Sequence, residues 1–257
     1  MKEILKKILL KSGLYYPFLY IRFPALKRQN KIQSAFYRQF TSEKSLVFDI
    51  GANMGQRTAV LKKTTASVIA IEPQIKCFEH LQIRFRRSKK VKLINAALDK
   101  TAGKGLLYEA SSLTVSSMSE DFINTVGKSI FKEVSWGAQT TVKTLTLDML
   151  VAEFGIPDFV KIDVEGYELN VLQGLSQAIP VISFEFIPSF MDNSIFCIEK
   201  LISLSASYKF NYTLGEELDF QLNENMEAKA FLAFAKENLY QAPNFGDIYA
   251  FYKQDKL

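Results

Sequence analysis

Two short stretches of this 257-residue chain hold most of its candidate chemistry: Lys161-Ile162-Asp163-Val164-Glu165-Gly166-Tyr167-Glu168 and Val47-Phe48-Asp49-Ile50-Gly51-Ala52-Asn53-Met54-Gly55. Each reads as a buried strand running into a tight, acidic, glycine-containing turn and then a helix. Carboxylates at such a strand end can take a proton from a hydroxyl or hold a cation. Asp163 and Glu165 are the first candidates, and Glu185, at the end of the apolar run 181–184, is the third. Three arrangements stay open. Asp163 or Glu165 accepts a substrate proton while Glu185 grips another hydroxyl. Alternatively, Asp163 and Glu185 share a Mg²⁺ ion, whose preference for oxygen they suit. In the third, Lys161 pairs with Asp163 or Glu185, and Glu165 caps the helix starting at Tyr167. The first is the working assignment, with no dedicated metal site. Glu168 reads as a helix-surface or capping residue. The single histidine, His80, falls in the helix after Glu72 and also reads as a surface residue, which leaves the carboxylates as bases.

The other turn indicates the ligand. Gly51 permits a tight turn and close backbone approach, and the amides opening the next helix favour an anionic group. Glu72 closes the following strand, 23 residues after Asp49, where a carboxylate can accept hydrogen bonds from ribose hydroxyls. A dinucleotide fingerprint needs G-x-G-x-x-G, but Asn53 occupies the second glycine position, and the lysine of a phosphate-binding loop is missing. Asp49 suits a ligand with an ammonium group. S-adenosyl-L-methionine, with one carboxylate, one ammonium and a free ribose, fits this turn better than a nicotinamide dinucleotide does.

Positioning these groups takes alternating strands and helices. Strands are expected at 46–50, 67–71, 91–95, 158–164, 180–186, 208–213 and 246–252, and helices at 54–63, 75–87, 147–154, 167–175, 195–206 and 228–239. That alternation is the signature of a parallel sheet with helices on both faces, which binds ligands at the carboxyl ends of its strands. Gly155 reads as a helix C-cap, with Pro157 just beyond. On the strand at 158–164, Phe159, Lys161 and Asp163 share one face, and Val160, Ile162 and Val164 the other. The stretch around Gly103 and Gly105 reads as a hairpin or an addition to the sheet. Residues 111–137, rich in serine and threonine and containing the only tryptophan, Trp136, have no period. They read as a lid or binding loop, or equally as an insertion.

Composition excludes several classes. Hydrophobic content of 48% with 23% charged residues argues against global disorder. Cys77 and Cys197 have no metal-ligand spacing and point to a reducing compartment. Residues 1–31 carry eight basic side chains against Glu3 alone, a net +7, which leaves −2 for the rest of a chain whose total is +5. The domain body is therefore not a nucleic-acid surface, and the cluster Arg84, Arg86, Arg87, Lys89, Lys90 and Lys92 reads as solvated. Residues 1–40 read as a basic, amphipathic N-terminal extension and 41–257 as the catalytic domain. Ile4, Leu5, Ile8 and Leu9 recur at helical spacing between lysines. This helix either lies on an anionic membrane or packs on the domain. The expected location is cytoplasmic, at the inner membrane face if that helix binds lipid.

The stretch 47–55, then Ile71-Glu72-Pro73, Asn95-Ala96-Ala97-Leu98, Thr146-Leu147-Asp148, 158–168, Val171-Leu172-Gln173-Gly174 and Glu185 together resemble the FkbM family of S-adenosylmethionine-dependent methyltransferases. The resemblance covers residues 45–187, with a weaker echo in the closing strand. It implies an α/β, Rossmann-like class I methyltransferase fold with a seven-stranded, mostly parallel sheet whose last strand is antiparallel. It also implies O-methylation of a hydroxyl, here on a sugar, glycan or glycolipid precursor. By the same resemblance Asp49, Gly51, Asn53 and Gly55 would hold the methionine end of the cofactor, Glu72 the ribose, and the segment containing Ala96 the adenine. Two other readings remain: an NAD-dependent oxidoreductase and a non-catalytic S-adenosylmethionine-binding module.

Overall fold

A computed structural model describes residues 12, 15–110, 116–127, 136–216 and 218–252. The lysine-rich pattern of residues 2–11 and the serines at 111–112 lie outside the described residues. In chain order the elements are α1 (Tyr15–Arg22), α2 (Pro24–Tyr37), β1 (Leu46–Ile50), α3 (Gln56–Leu61), β2 (Ser67–Ile71), α4 (Ile75–Phe85) and β3 (Val91–Ile94). Four strands follow, β4 (Ala97–Leu98), β5 (Gly103–Ala110), β6 (Ser116–Ser117) and β7 (Trp136–Leu145). Then come α5 (Leu147–Phe154), β8 (Phe159–Ile162), α6 (Glu168–Gln173), β9 (Val181–Phe186) and α7 (Met191–Leu204). The described residues end with β10 (Tyr208–Tyr212), β11 (Met226–Glu227), α8 (Ala228–Asn238) and β12 (Gly246–Tyr252).

The main sheet runs β11-β10-β12-β9-β8-β1-β2-β3. Strands β9, β8, β1, β2 and β3 are parallel, and β12 is antiparallel to both its neighbours. The resemblance implied seven strands. Among the described residues there are eight, because the two-residue β11 extends the edge, and the antiparallel last strand is present. The glycine-punctuated stretch is a hairpin arm: β5 pairs with β7 in a separate four-stranded sheet, β4-β7-β5-β6. No helix of the described residues is long and apolar enough to cross a membrane.

Strand direction decides where the site forms. From β1 the chain crosses to β2 on one side, and from β8 it crosses to β9 on the other, so the crevice opens between the ends of β1 and β8. Both strands are covered on both faces, which is why they read as nearly continuous apolar runs. Phe48, Ile50, Val160 and Ile162 pack into the larger core, beneath α5, α6, α7 and α8. Val47 and Phe159 face the other way, toward a second core built with Phe36, Tyr37, Val60 and Tyr249.

The sequence places residues 1–40 in an extension; in the structure α2, which lies within that span, packs against this second core. Its Phe36 and Tyr37 are buried in that core, and each such side chain contributes about 1.5–3 kcal/mol. Lys27, Arg28 and Lys31, which made the segment look like an appendage, lie exposed on the outer side of the same helix.

Candidate active site

A cavity of about 450 Å³ opens at the crevice, within the usual range for a small-molecule site. Gly51 makes its floor possible. Its φ is +78°, and a Cβ there would lie 1.7 Å from the carbonyl oxygen of Asp163. The amide of Asp163 in turn donates to the Ile50 carbonyl at 3.0 Å. The β1 and β8 backbones thus touch where only glycine fits.

Glu72 fixes the turn above that floor. Its Oε2 accepts from the Asn53 amide at 2.7 Å, where Asn53 holds a left-handed φ of +48°, and its Oε1 accepts from the Gln74 amide at 2.8 Å. Asn95 Nδ2 donates to the carbonyls of Glu72 and Pro73, tying down the end of β2. Burial pushes the Glu72 carboxyl up to about 7, although both amide donors act the other way. Asp49 stands opposite Lys161 in the β1–β8 register and accepts from Thr58 Oγ1 at 2.5 Å. Burial still raises its pKa. Asp49, Gly51, Asn53, Glu72 and Ala96 all line the cavity. Gly55 does not. Its φ is +76°, and a Cβ there would meet Leu81 and Phe85 of α4 at 2.6 and 2.7 Å, so it is a packing glycine between α3 and α4.

The acidic turn after β8 is the second wall. Lys161 is fully buried, and its Nζ lies 2.7 Å from Asp163 Oδ2, as the third arrangement has it. Enclosure alone would raise the Asp163 carboxyl, but Lys161 pulls it below the usual value. Glu165 and Gly166 both have positive φ, +54° and +84°, a costly conformation for glutamate that the surroundings must impose. Residues 116–127, part of the aperiodic stretch, do so: Ser117 Oγ donates to the Glu165 carbonyl at 2.6 Å, and the Phe122 ring packs against Gly166. Enclosure, then the charges of Asp163 and Glu168, push Glu165 up to about 8.

Several sequence expectations change here. Glu165 does not cap α6. Glu168 braces the turn instead, with Oε1 accepting the amides of Gly166 at 3.1 Å and Val164 at 3.4 Å, and Oε2 accepting from Asn193 Nδ2 at 2.9 Å. It is buried, not on the helix surface. Glu185 is opposite Asp247 on β12 and outside the cavity lining. Burial, with Asp163 and Glu165 nearby, holds it well above the usual carboxylate value. His80 is buried, its Nε2 2.7 Å from the Tyr16 hydroxyl. Arg84 is not solvated either; its guanidinium lies 3.7 Å from the Tyr16 ring centre and donates to the Met54 carbonyl. Among the described residues no group of three or more His, Cys, Asp or Glu side chains is arranged to hold a metal ion. The cation beside Asp163 is the Lys161 ammonium.

The sequence reading missed the third wall. Leu26, Gln29, Asn30 and Gln33 of α2 line the cavity, as does Glu216, which pairs with Arg57 at 3.3 Å. The signal was there as a stripe at spacing i, i+3, i+4 and i+7, but three of its four members are amides, so a search for apolar periodicity takes it for solvent-facing surface.

Charge and shape together test the ligand. Asp49, Glu72, Asp163, Glu165 and Glu216 line the cavity against Arg57 alone. Such a surface repels a diphosphate and suits a ligand that brings positive charge and a ribose diol, so the residues present fit S-adenosylmethionine.

Comparison with known proteins agrees. A methyltransferase FkbM domain matches residues 49–227. The hexuronic acid methyltransferase AglP of Haloferax volcanii is 28% identical over 145 residues, 55% of this chain and 54% of that protein, so the chain matches about half of that relative's length. The crystal structure of methyltransferase FkbM from Methylobacillus flagellatus KT aligns over 91% of this chain and 60% of its own, with a TM-score of 0.50 and 12% identity, a likeness of fold alone. The domain match takes in more than half the chain, including the glycine turn, Glu72 and the acidic turn: the protein belongs to the FkbM family of S-adenosylmethionine-dependent methyltransferases.

Proposed function

We propose that the protein methylates a hydroxyl of a sugar, within a glycan or glycolipid precursor, and that Glu165 accepts the proton. The observation that carries this reading is the pair of unlike carboxyls on one turn. Asp163 is held ionised by Lys161 and is a weak base, whereas Glu165 is pushed up to about 8 and opens onto the same cavity. A general base works best when its pKa lies near the operating pH. Among the carboxyls considered from the sequence, the working base is therefore Glu165, with Asp163 keeping its pKa high and Glu185 outside the cavity lining.

S-adenosylmethionine, when bound, supplies an electrophilic methyl group on a sulfonium. The chain's own residues do the rest. Glu72 would accept from the ribose hydroxyls, Asp49 would serve the ammonium, the backbone at Gly51 and Asn53 would receive the methionine end, and Ala96 would border the adenine. Lining up the acceptor oxygen with the methyl is itself worth several kcal/mol, about 7–11 at best. The hexuronic acid named for the Haloferax relative supports a sugar acceptor. Such a sugar offers hydroxyls and a carboxylate, and five acidic side chains around the cavity favour the neutral group.

The test is the pH dependence of turnover with a hexose or hexuronic acid acceptor. Wild-type kcat should rise with pH to a plateau above about 8. Glu165→Gln should lose that limb and about 10²–10⁴-fold in kcat, with S-adenosylmethionine affinity unchanged by calorimetry. An unaltered rate in Glu165→Gln removes the base. A product hydrolysed by mild alkali, an ester rather than an ether, removes the hydroxyl acceptor.

A further inference from the structure

Between Glu3 and Glu43 the chain has no acidic residue. Within that span, α1 and α2 turn their polar and aromatic contacts inward. The Tyr16 hydroxyl meets His80 at 2.7 Å, the Tyr20 hydroxyl accepts from Asn30 Nδ2 at 2.9 Å, and Gln33, Phe36 and Tyr37 are buried. What remains outside is unusual for a protein surface. Phe18, Ile21, Phe23 and Ile32 are 51%, 81%, 46% and 52% exposed, and Arg22, Lys27, Arg28 and Lys31 are exposed among them. Scattered apolar side chains on a surface are ordinary. Large ones concentrated on two consecutive helices and their junction, where the exposed charged side chains are all cations, have the composition of a segment that lies in a lipid interface.

The face is continuous with the active site. Leu26 is 40% exposed and also lines the cavity, and Asn30, which holds Tyr20 of α1, lines it too. We infer that the outer side of α1 and α2 docks on an anionic phospholipid surface and so presents the cavity mouth to acceptors carried at the level of the lipid headgroups. Charge selects this occupant over a second copy of the chain, because two such faces would set four cations against four. The cations meet anionic headgroups, a favourable term for each one near the surface, while Phe18, Ile21, Phe23 and Ile32 enter the boundary with the acyl chains. Docking does not depend on the transfer chemistry, so it can be read without any acceptor.

Flotation of the full chain with vesicles tests it. The protein should float with phosphatidylcholine–phosphatidylglycerol vesicles, release as salt rises, and bind pure phosphatidylcholine at least about tenfold more weakly. The double variants Ile21→Asp/Ile32→Asp and Arg28→Glu/Lys31→Glu should each lose most of that binding, with melting temperature and S-adenosylmethionine affinity kept, since none of the four residues lines the cavity. Wild-type protein that stays with neither vesicle overturns the inference, as does binding that both double variants retain. A dimer in light scattering that the same substitutions dissociate also overturns it, by assigning the face to self-association.

Discussion

The two walls of the cavity nearest the strand ends and the wall supplied by α2 are built in opposite ways. At the strand ends the backbone does the shaping: Gly51, Asn53, Glu165 and Gly166 sit at positive φ, and amides of Asn53, Gln74, Val164 and Gly166 grip buried carboxylates. On α2 the backbone is a regular helix, and Leu26, Gln29, Asn30 and Gln33 line the cavity from it. The first kind of wall tolerates almost no change and suits a ligand that stays the same. The second can alter its side chains without disturbing the fold, which suits the group that differs between related enzymes, the acceptor.

The largest predicted effect breaks the backbone-built wall. In Gly51→Ala the new methyl would lie 1.7 Å from the Asp163 carbonyl oxygen, at a φ of +78°. The unfavourable φ alone costs about 1–3 kcal/mol, and the clash, with backbone rather than a flexible side chain, adds to it. Loss of S-adenosylmethionine binding and a clear drop in melting temperature are expected. Retention of wild-type affinity would mean that β1 and β8 do not meet as described.

An intermediate effect should separate the two walls. Glu72→Gln leaves one of the Asn53 and Gln74 amides without its acceptor, a cost of about 1–3 kcal/mol, and should weaken S-adenosylmethionine roughly tenfold or more while leaving the KM of the acceptor nearly unchanged. Gln33→Ala should do the reverse, raising acceptor KM several-fold, about 1 kcal/mol for one hydrogen bond, with cofactor affinity intact by calorimetry. If both substitutions move both constants together, the division of the cavity fails.

The same contrast explains what could be seen in the residues. Positive-φ turns demand glycine, and buried strand ends demand apolar runs broken by a single acid, so Asp49, Gly51, Glu72 and the Asp163–Glu165 turn stand out, and a mostly parallel sheet follows from the alternation of elements. Gly55 stood out for the same reason but meets Leu81 and Phe85, because glycine marks close approach without saying to what. The sequence leaves Glu168 as a helix-surface or capping residue and His80 as a surface one, because a helix shows its faces only through apolar spacing; both are polar residues turned inward to partners distant in sequence, Asn193 and Tyr16. The α2 wall was hidden in the same way: its stripe of amides has helical spacing but no hydrophobic contrast. In α2 the cations lie exposed on the outer side and the aromatics Phe36 and Tyr37 are buried on the inner.

The smallest effect sharpens the account of the acidic turn. Glu168 is held at about 7 by burial, although the amides of Gly166 and Val164 act against the shift, whereas in an unfolded chain a glutamate ionises near about 4.3. Between those values the native state binds the extra proton, so Glu168 contributes stability that is complete below the unfolded pKa and is lost as pH rises through about 7. Glu168→Gln keeps an oxygen for the two amides, and Asn193 can rotate its own amide to match the new partner. The variant should therefore fold normally and melt with a shallower decline between about pH 4.3 and about pH 7, a difference of roughly 2–4 °C for each kcal/mol removed. It should also move the midpoint of the kcat rise toward acid, because Glu168 is one of the charges that hold the Glu165 carboxyl up. A melting profile that flattens with no movement of the kinetic midpoint would leave Glu168 as a structural brace alone and pass the tuning of Glu165 to Asp163. Movement of both ties the stability of the turn to its chemistry through one buried carboxyl.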